Sequence, residues 1–129
     1  VLEEDGMVVS NLTVTGTING DVVVRYKKYV ALMTQTGTAA PTVIVLENTI
    51  GDIVWTRDST GIYEGTLIGA FTLDKTSAMM SVVLVDGIVN VFRFSDDVVR
   101  VATTNLHNPT AAYHDSHLFK NTIEIRVYE

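Results

Sequence analysis

Cysteine is absent from the 129 residues, and a disulfide framework, a thiolate zinc site and a cysteine nucleophile are excluded together. Basic residues are scarce as well. Nine Lys and Arg stand against fifteen Asp and Glu, a formal charge of −6. Affinity for nucleic acid rests on Lys and Arg neutralising phosphates, so no nucleic-acid partner is expected. Apolar residues reach 47%, yet no uninterrupted apolar run nears the roughly 20 residues of a membrane helix, and membrane insertion is not expected. Val1–Gly6 carries Glu3, Glu4 and Asp5 where a secretory leader has basic residues, so it does not read as a signal peptide. Runs of Ala, Leu, Lys and Glu at helical spacing are also missing, while Val and Thr dominate, which leaves helix little room. The length suits one core without covalent or metal support.

What is present is a series of short β-branched runs separated by Gly, Pro, Asn and Asp. Tyr29–Met33 reads as a strand, and Gln35-Thr-Gly-Thr-Ala-Ala-Pro41 as a loop, because Pro41 lacks a donor and biases Ala40 toward extended geometry. Thr42–Leu46, Ile53–Thr56 and Ile62–Ile68 follow as strands, with turns at Glu47–Asp52 and Arg57–Gly61. Gly61, Gly65 and Gly69 fall at even spacing. They form either a flat strip that a ring or backbone approaches, or strand ends, and strand ends are the simpler reading. Thr72–Met80 is the one stretch with room for a helical turn, capped by Asp74 or Thr72, or else a loop. Asp86-Gly87 predicts a hairpin between Ser81–Val85 and Ile88–Phe94, with Phe92 and Phe94 on one face and Arg93 on the other. Val98–Thr103 is another strand, Thr104–Lys120 a long loop, and Thr122–Tyr128 a strand with Ile123, Ile125 and Val127 inward. The expected fold is all-β: an antiparallel β-sandwich of jelly-roll type over residues 26–129, with about eight strands.

Residues 1–25 form a separate N-terminal β-ribbon in this reading. Leu12, Val14 and Ile18 alternate with Thr13, Thr15 and Thr17, Asn19-Gly20 matches a type I′ turn, and Asp21–Val24 returns. An isolated hairpin is marginal in water, so its stripe of Leu12, Val14, Ile18, Val22 and Val24 is expected to meet the main body or copies of itself. The run Asn11-Leu-Thr-Val-Thr-Gly-Thr-Ile-Asn-Gly20 resembles segments that recur in bacteriophage tail-fibre and other virion fibre proteins. Tyr29–Phe71, with its TQTGTAAP loop, VLENTIG turn, VWTR strand and GxYxGTLxGAFT run, is similar to domains of phage structural proteins. That resemblance implies a non-enzymatic virion component, a fibre or spike domain, assembled in the host cytoplasm. It also implies a homotrimer built through the ribbon stripe, contact with other virion proteins, and host attachment through a surface glycan. It supplies no catalytic residues and no cofactor.

Two constellations carry chemistry of their own. His114-Asp-Ser-His117, with His107 nearby, holds metal-ligating side chains, but it lies in a loop without Cys or HExxH context and reads as a hydrogen-bonded polar loop. No GxSxG elbow, P-loop, GxGxxG or carboxylate pair in an apolar setting occurs, so no enzyme is expected. Trp55, Tyr63, Tyr113 and Tyr128 offer aromatic faces for a sugar ring, which makes a monomeric carbohydrate-binding module the alternative, with Trp55, Tyr63 and Tyr113 as its ligand residues.

Overall fold

The computed structural model describes residues 25–81, 87–106 and 112–129. Nine strands and no helix occur among the described residues: β1 (Tyr26–Thr34), β2 (Thr42–Asn48), β3 (Val54–Ser59), β4 (Ile62–Thr66), β5 (Thr76–Met80), β6 (Gly87–Arg93), β7 (Val98–Asn105), β8 (Ala112–Tyr113) and β9 (Asn121–Tyr128). Every pairing is antiparallel. One sheet has the order β2-β1-β9-β5. The other runs β3-β4-β7-β6, with β8 attached to β7. Consecutive strands pair as hairpins at β1–β2, β3–β4 and β6–β7, and the two sheets pack face to face as a β-sandwich.

Period-two alternation decides which side chains meet between the sheets. Tyr29, Ala31 and Met33 of β1 and Ile123 and Ile125 of β9 face Trp55 of β3, Tyr63 of β4 and Val99 and Val101 of β7, while Phe71 and Leu118 enter from loops. Each fully buried apolar side chain of this size contributes roughly 1.5–3 kcal/mol. The indole N–H of Trp55 donates to Tyr29 Oη at 3.1 Å, so the buried polar atoms of the two largest rings satisfy each other across the core. A side chain at Gly65 would place its Cβ 2.8 Å from the Trp55 ring, so the glycine gives that ring its seat. Of the glycine series, Gly65 is thus a close-approach site, whereas Gly61 and Gly69 sit in turns at φ of 69°.

Several expectations need correction. Thr72–Met80 is neither a helical turn nor all loop: a turn closes with Lys75 N–H on Thr72 O at 3.2 Å, and Thr76–Met80 then pairs with β9. Asp74 at φ 62° stops any helical continuation, and Ala78 and Met80 pack against the core; tertiary packing overrides the weak strand propensity of that run. In β6 Phe92 and Phe94 share one face and Arg93 the other, as expected; the buried half is that of Val89 and Val91, and Phe92 and Phe94 point outward at 42% and 52% exposure. Arg93 lies on the half-buried side at the strand end, where its Nε donates to Phe71 O at 2.6 Å and its Nη2 meets Asp96. The loop from Thr104 to Lys120 begins as the end of β7 and carries the short strand β8. The predicted ribbon, its stripe of Leu12, Val14, Ile18, Val22 and Val24, and the turn residue Asp86 lie outside the described residues.

Candidate functional site

The most organised polar cluster forms where the segment after β8 returns over the β3–β4 turn. Asp115 is held by the β3–β4 hairpin, with Arg57 Nε at 3.2 Å and Arg57 Nη2 at 2.7 Å from its Oδ2, and the backbone N–H of Gly61 donating to its Oδ1 at 2.8 Å. Tyr63 Oη is 2.7 Å from the same Oδ1 and 2.8 Å from Gln35 Oε1. A phenol has one proton, and it goes to the charged acceptor. Gln35 Oε1 receives the N–H of Ser116 at 2.7 Å instead, while its amide nitrogen donates to Gly37 O and Ala39 O.

These contacts set the titration of the group. The Arg57 guanidinium, helped by Gly61 and Tyr63 and opposed by desolvation, holds the Asp115 carboxyl down to about 2. Burial first, and the hydrogen bond to Asp115 second, push the Tyr63 phenol well above its ordinary range. A carboxylate locked in its charged form and a phenol locked in its neutral form exchange no proton near neutral pH. What they do is mechanical. Together with His114 N–H on Thr103 O at 3.0 Å, Gly37 N–H on Ser116 Oγ at 2.8 Å and Lys120 N–H on Thr34 Oγ1 at 3.0 Å, they clasp the segment to β1, β3, β4 and β7.

The predicted metal candidates separate under this geometry. His107 lies outside the described residues. The rings of His114 and His117 stand 5.1 Å apart, but Asp115 between them turns away to Arg57. No group of three or more His, Asp or Glu side chains placed to hold a metal ion occurs among the described residues. Nor do the predicted sugar-binding aromatics share a face. Trp55 and Tyr63 are core residues at 7% and 0% exposure, consumed by the packing described above, while Tyr113 and Tyr128 lie on the surface.

Two surface features were not anticipated. On the outer face of the β3-β4-β7-β6 sheet, Arg100 pairs with Glu64 through Nε at 3.1 Å and sets its guanidinium carbon over the Phe94 ring, 3.8 Å from its centroid, with Phe92 alongside. Along the free edge of the other sheet, Ile44, Val45 and Leu46 of β2 are all about half exposed. Neither has a sequence signal, because β-branched runs look alike whether they lie inside a sheet or on its rim. No protein-family model, curated protein or solved structure matches the chain.

Proposed function

We propose that the chain is a non-enzymatic structural domain of a bacteriophage particle, a fibre or spike component. This reading rests on the likeness read in the sequence of Tyr29–Phe71, residues that form most of β1, all of β2 to β4 and the loop that places Phe71 in the core. The geometry of the Asp115 cluster supports it, since that cluster spends its polar groups on fastening a loop rather than facing a substrate. A rigid body with outward-facing apolar and aromatic side chains suits association with other virion proteins.

The test is the content of purified particles. Trypsin releases Asp58–Lys75 as one peptide, and that peptide is expected in banded virions at a copy number matching a structural component. Its confinement to the soluble lysate of infected cells would overturn the proposal. Trimer formation through the ribbon is tested separately by light scattering of the full chain: an assembly mass that is a multiple of three 14.1 kDa chains is expected, falling on Val14→Asp, and a single-chain mass throughout would refute it. Any host-glycan contact in this reading uses surface aromatics such as Tyr113, not Trp55 or Tyr63.

A further inference from the structure

We infer that β2 is an interaction edge whose partner is β2 of a second copy of this chain, the two strands pairing antiparallel across a two-fold axis at Ile44. β2 ends its sheet and has no strand on its far side among the described residues. Sheet edges of soluble proteins are ordinarily blunted by Lys, Pro or inward charges. Between Thr42 and Asn48 there is no Lys, Arg or Pro; Pro41 only precedes the strand. Instead Ile44, Val45 and Leu46 are exposed at 54%, 47% and 59%. The free edge of β3 differs, since it carries Arg57 and Asp58.

The strand is complementary to itself in both shape and charge. With Ile44 on the axis, Val43 opposes Val45 of the copy and Thr42 opposes Leu46, so apolar side chains meet apolar or small ones. Glu47 is the one charged residue of β2, and Lys28 of β1 already holds it at 3.4 Å. In this register the two Glu47 side chains lie six residue steps apart along the ribbon, about 20 Å at ~3.4 Å per residue, beyond the Debye length of ~8 Å at physiological ionic strength. No like charges face each other. The β-bulge of the β1–β2 ladder falls at Leu46, between Val45 and Glu47 opposite Ala31 and Val30, so the regular part of the proposed ladder is Val43–Val45 on each copy, centred on Ile44. Because both copies use the same edge, pairing closes at two and does not propagate, as an isologous interface requires. This contact belongs to the sandwich body, and it goes beyond the particle reading without depending on it.

Two variants of the full chain test the inference. The chain has no cysteine, so Ile44→Cys introduces a lone thiol. A residue opposite its own copy in an antiparallel pair has a Cα separation of ~4.5–5.5 Å, within the range a disulfide spans. Under mild oxidation at micromolar protein, Ile44→Cys is expected to form a covalent dimer of twice the 14.1 kDa chain mass, whereas Ile68→Cys, 79% exposed in the loop after β4, is expected to stay largely uncrosslinked. Ile44→Lys places two ammonium groups face to face and is expected to halve the assembly mass in light scattering with an unchanged far-UV spectrum. Val14→Asp reports on the ribbon contact alone, so loss of one contact is distinguishable from loss of the other. Equal crosslinking of the two cysteine variants, or an assembly mass indifferent to Ile44→Lys in the folded protein, would overturn it.

Discussion

Tyr63 and Asp115, 52 residues apart in sequence, meet at 2.7 Å, phenol proton to carboxylate. The bond is buried on the Tyr63 side, which has no exposed surface, and a hydrogen bond to a charged acceptor is worth roughly 1.5–3 kcal/mol. Tyr63→Phe keeps the ring that fills the core and removes only the donor. A loss of stability in that range is expected, read as a lower urea midpoint with unchanged slope. A midpoint equal to wild type would mean that Arg57 and Gly61 alone hold the carboxylate.

Acid should release the same clasp. Asp115 titrates at about 2 in the folded chain against an ordinary 3.8. A depressed carboxyl contributes stability that is complete above the unfolded value and disappears as pH falls through the folded one. Stability is therefore expected to drop between about pH 4 and pH 2. Asp115→Asn, less stable at pH 7, should show a flatter dependence in that window, because the difference between the two curves is the contribution of this one group. Parallel curves from urea titrations at each pH would refute the assignment.

Gly61 tests the backbone side of the cluster. Its φ is 69°, and a Cβ there would lie 2.6 Å from both His114 N and Thr103 O, atoms that already bond each other. Gly69 has the same φ with open space around it. Both Gly→Ala changes carry the left-handed backbone cost, of order 1 kcal/mol. Gly61→Ala is expected to cost clearly more, since main-chain atoms must separate. Equal thermal midpoints for the two variants would argue that the β3–β4 turn moves freely.

The lone tryptophan gives an optical check on the core. Trp55 is buried against Gly65 and bonded to Tyr29, so native emission is expected to be blue-shifted, poorly quenched by iodide, and to move red on unfolding. Addition of soluble glycans should leave it unchanged. A glycan-dependent shift in the native protein would restore Trp55 as a ligand residue.

Strand positions were readable wherever alternation and turn residues agreed. β2, β4, β7 and β9 start within a residue of the expected places, and Asn48 forms its turn by accepting Ile50 and Gly51 N–H at 3.0 Å, as an Asx residue before Gly suggests. β5 was hidden because Thr-Ser-Ala-Met-Met has little strand character and becomes a strand by pairing with β9. The phase of β6 was hidden for another reason: Val89 and Val91 and Phe92 and Phe94 are two equally apolar faces, and only the neighbouring sheet chooses between them. The Asp115 clasp could not be read at all. Its members at positions 35, 57, 61, 63 and 115 come from three separate stretches of chain, and none stands in a local pattern that marks it as part of a cluster.

The place of β9 has a consequence for how the fold is reached. It lies between β1 and β5, and those two strands are joined in the sheet only through it. Until Asn121–Tyr128 is available, β1 has only its β2 neighbour and β5 has no partner in its own sheet. Assembly of that layer therefore waits for contacts between positions roughly a hundred residues apart, the class of topology that folds in milliseconds to seconds rather than microseconds. A chain caught before that closure presents unpaired rims at β1 and β5, and its aggregation during refolding should fall when β9 docks early.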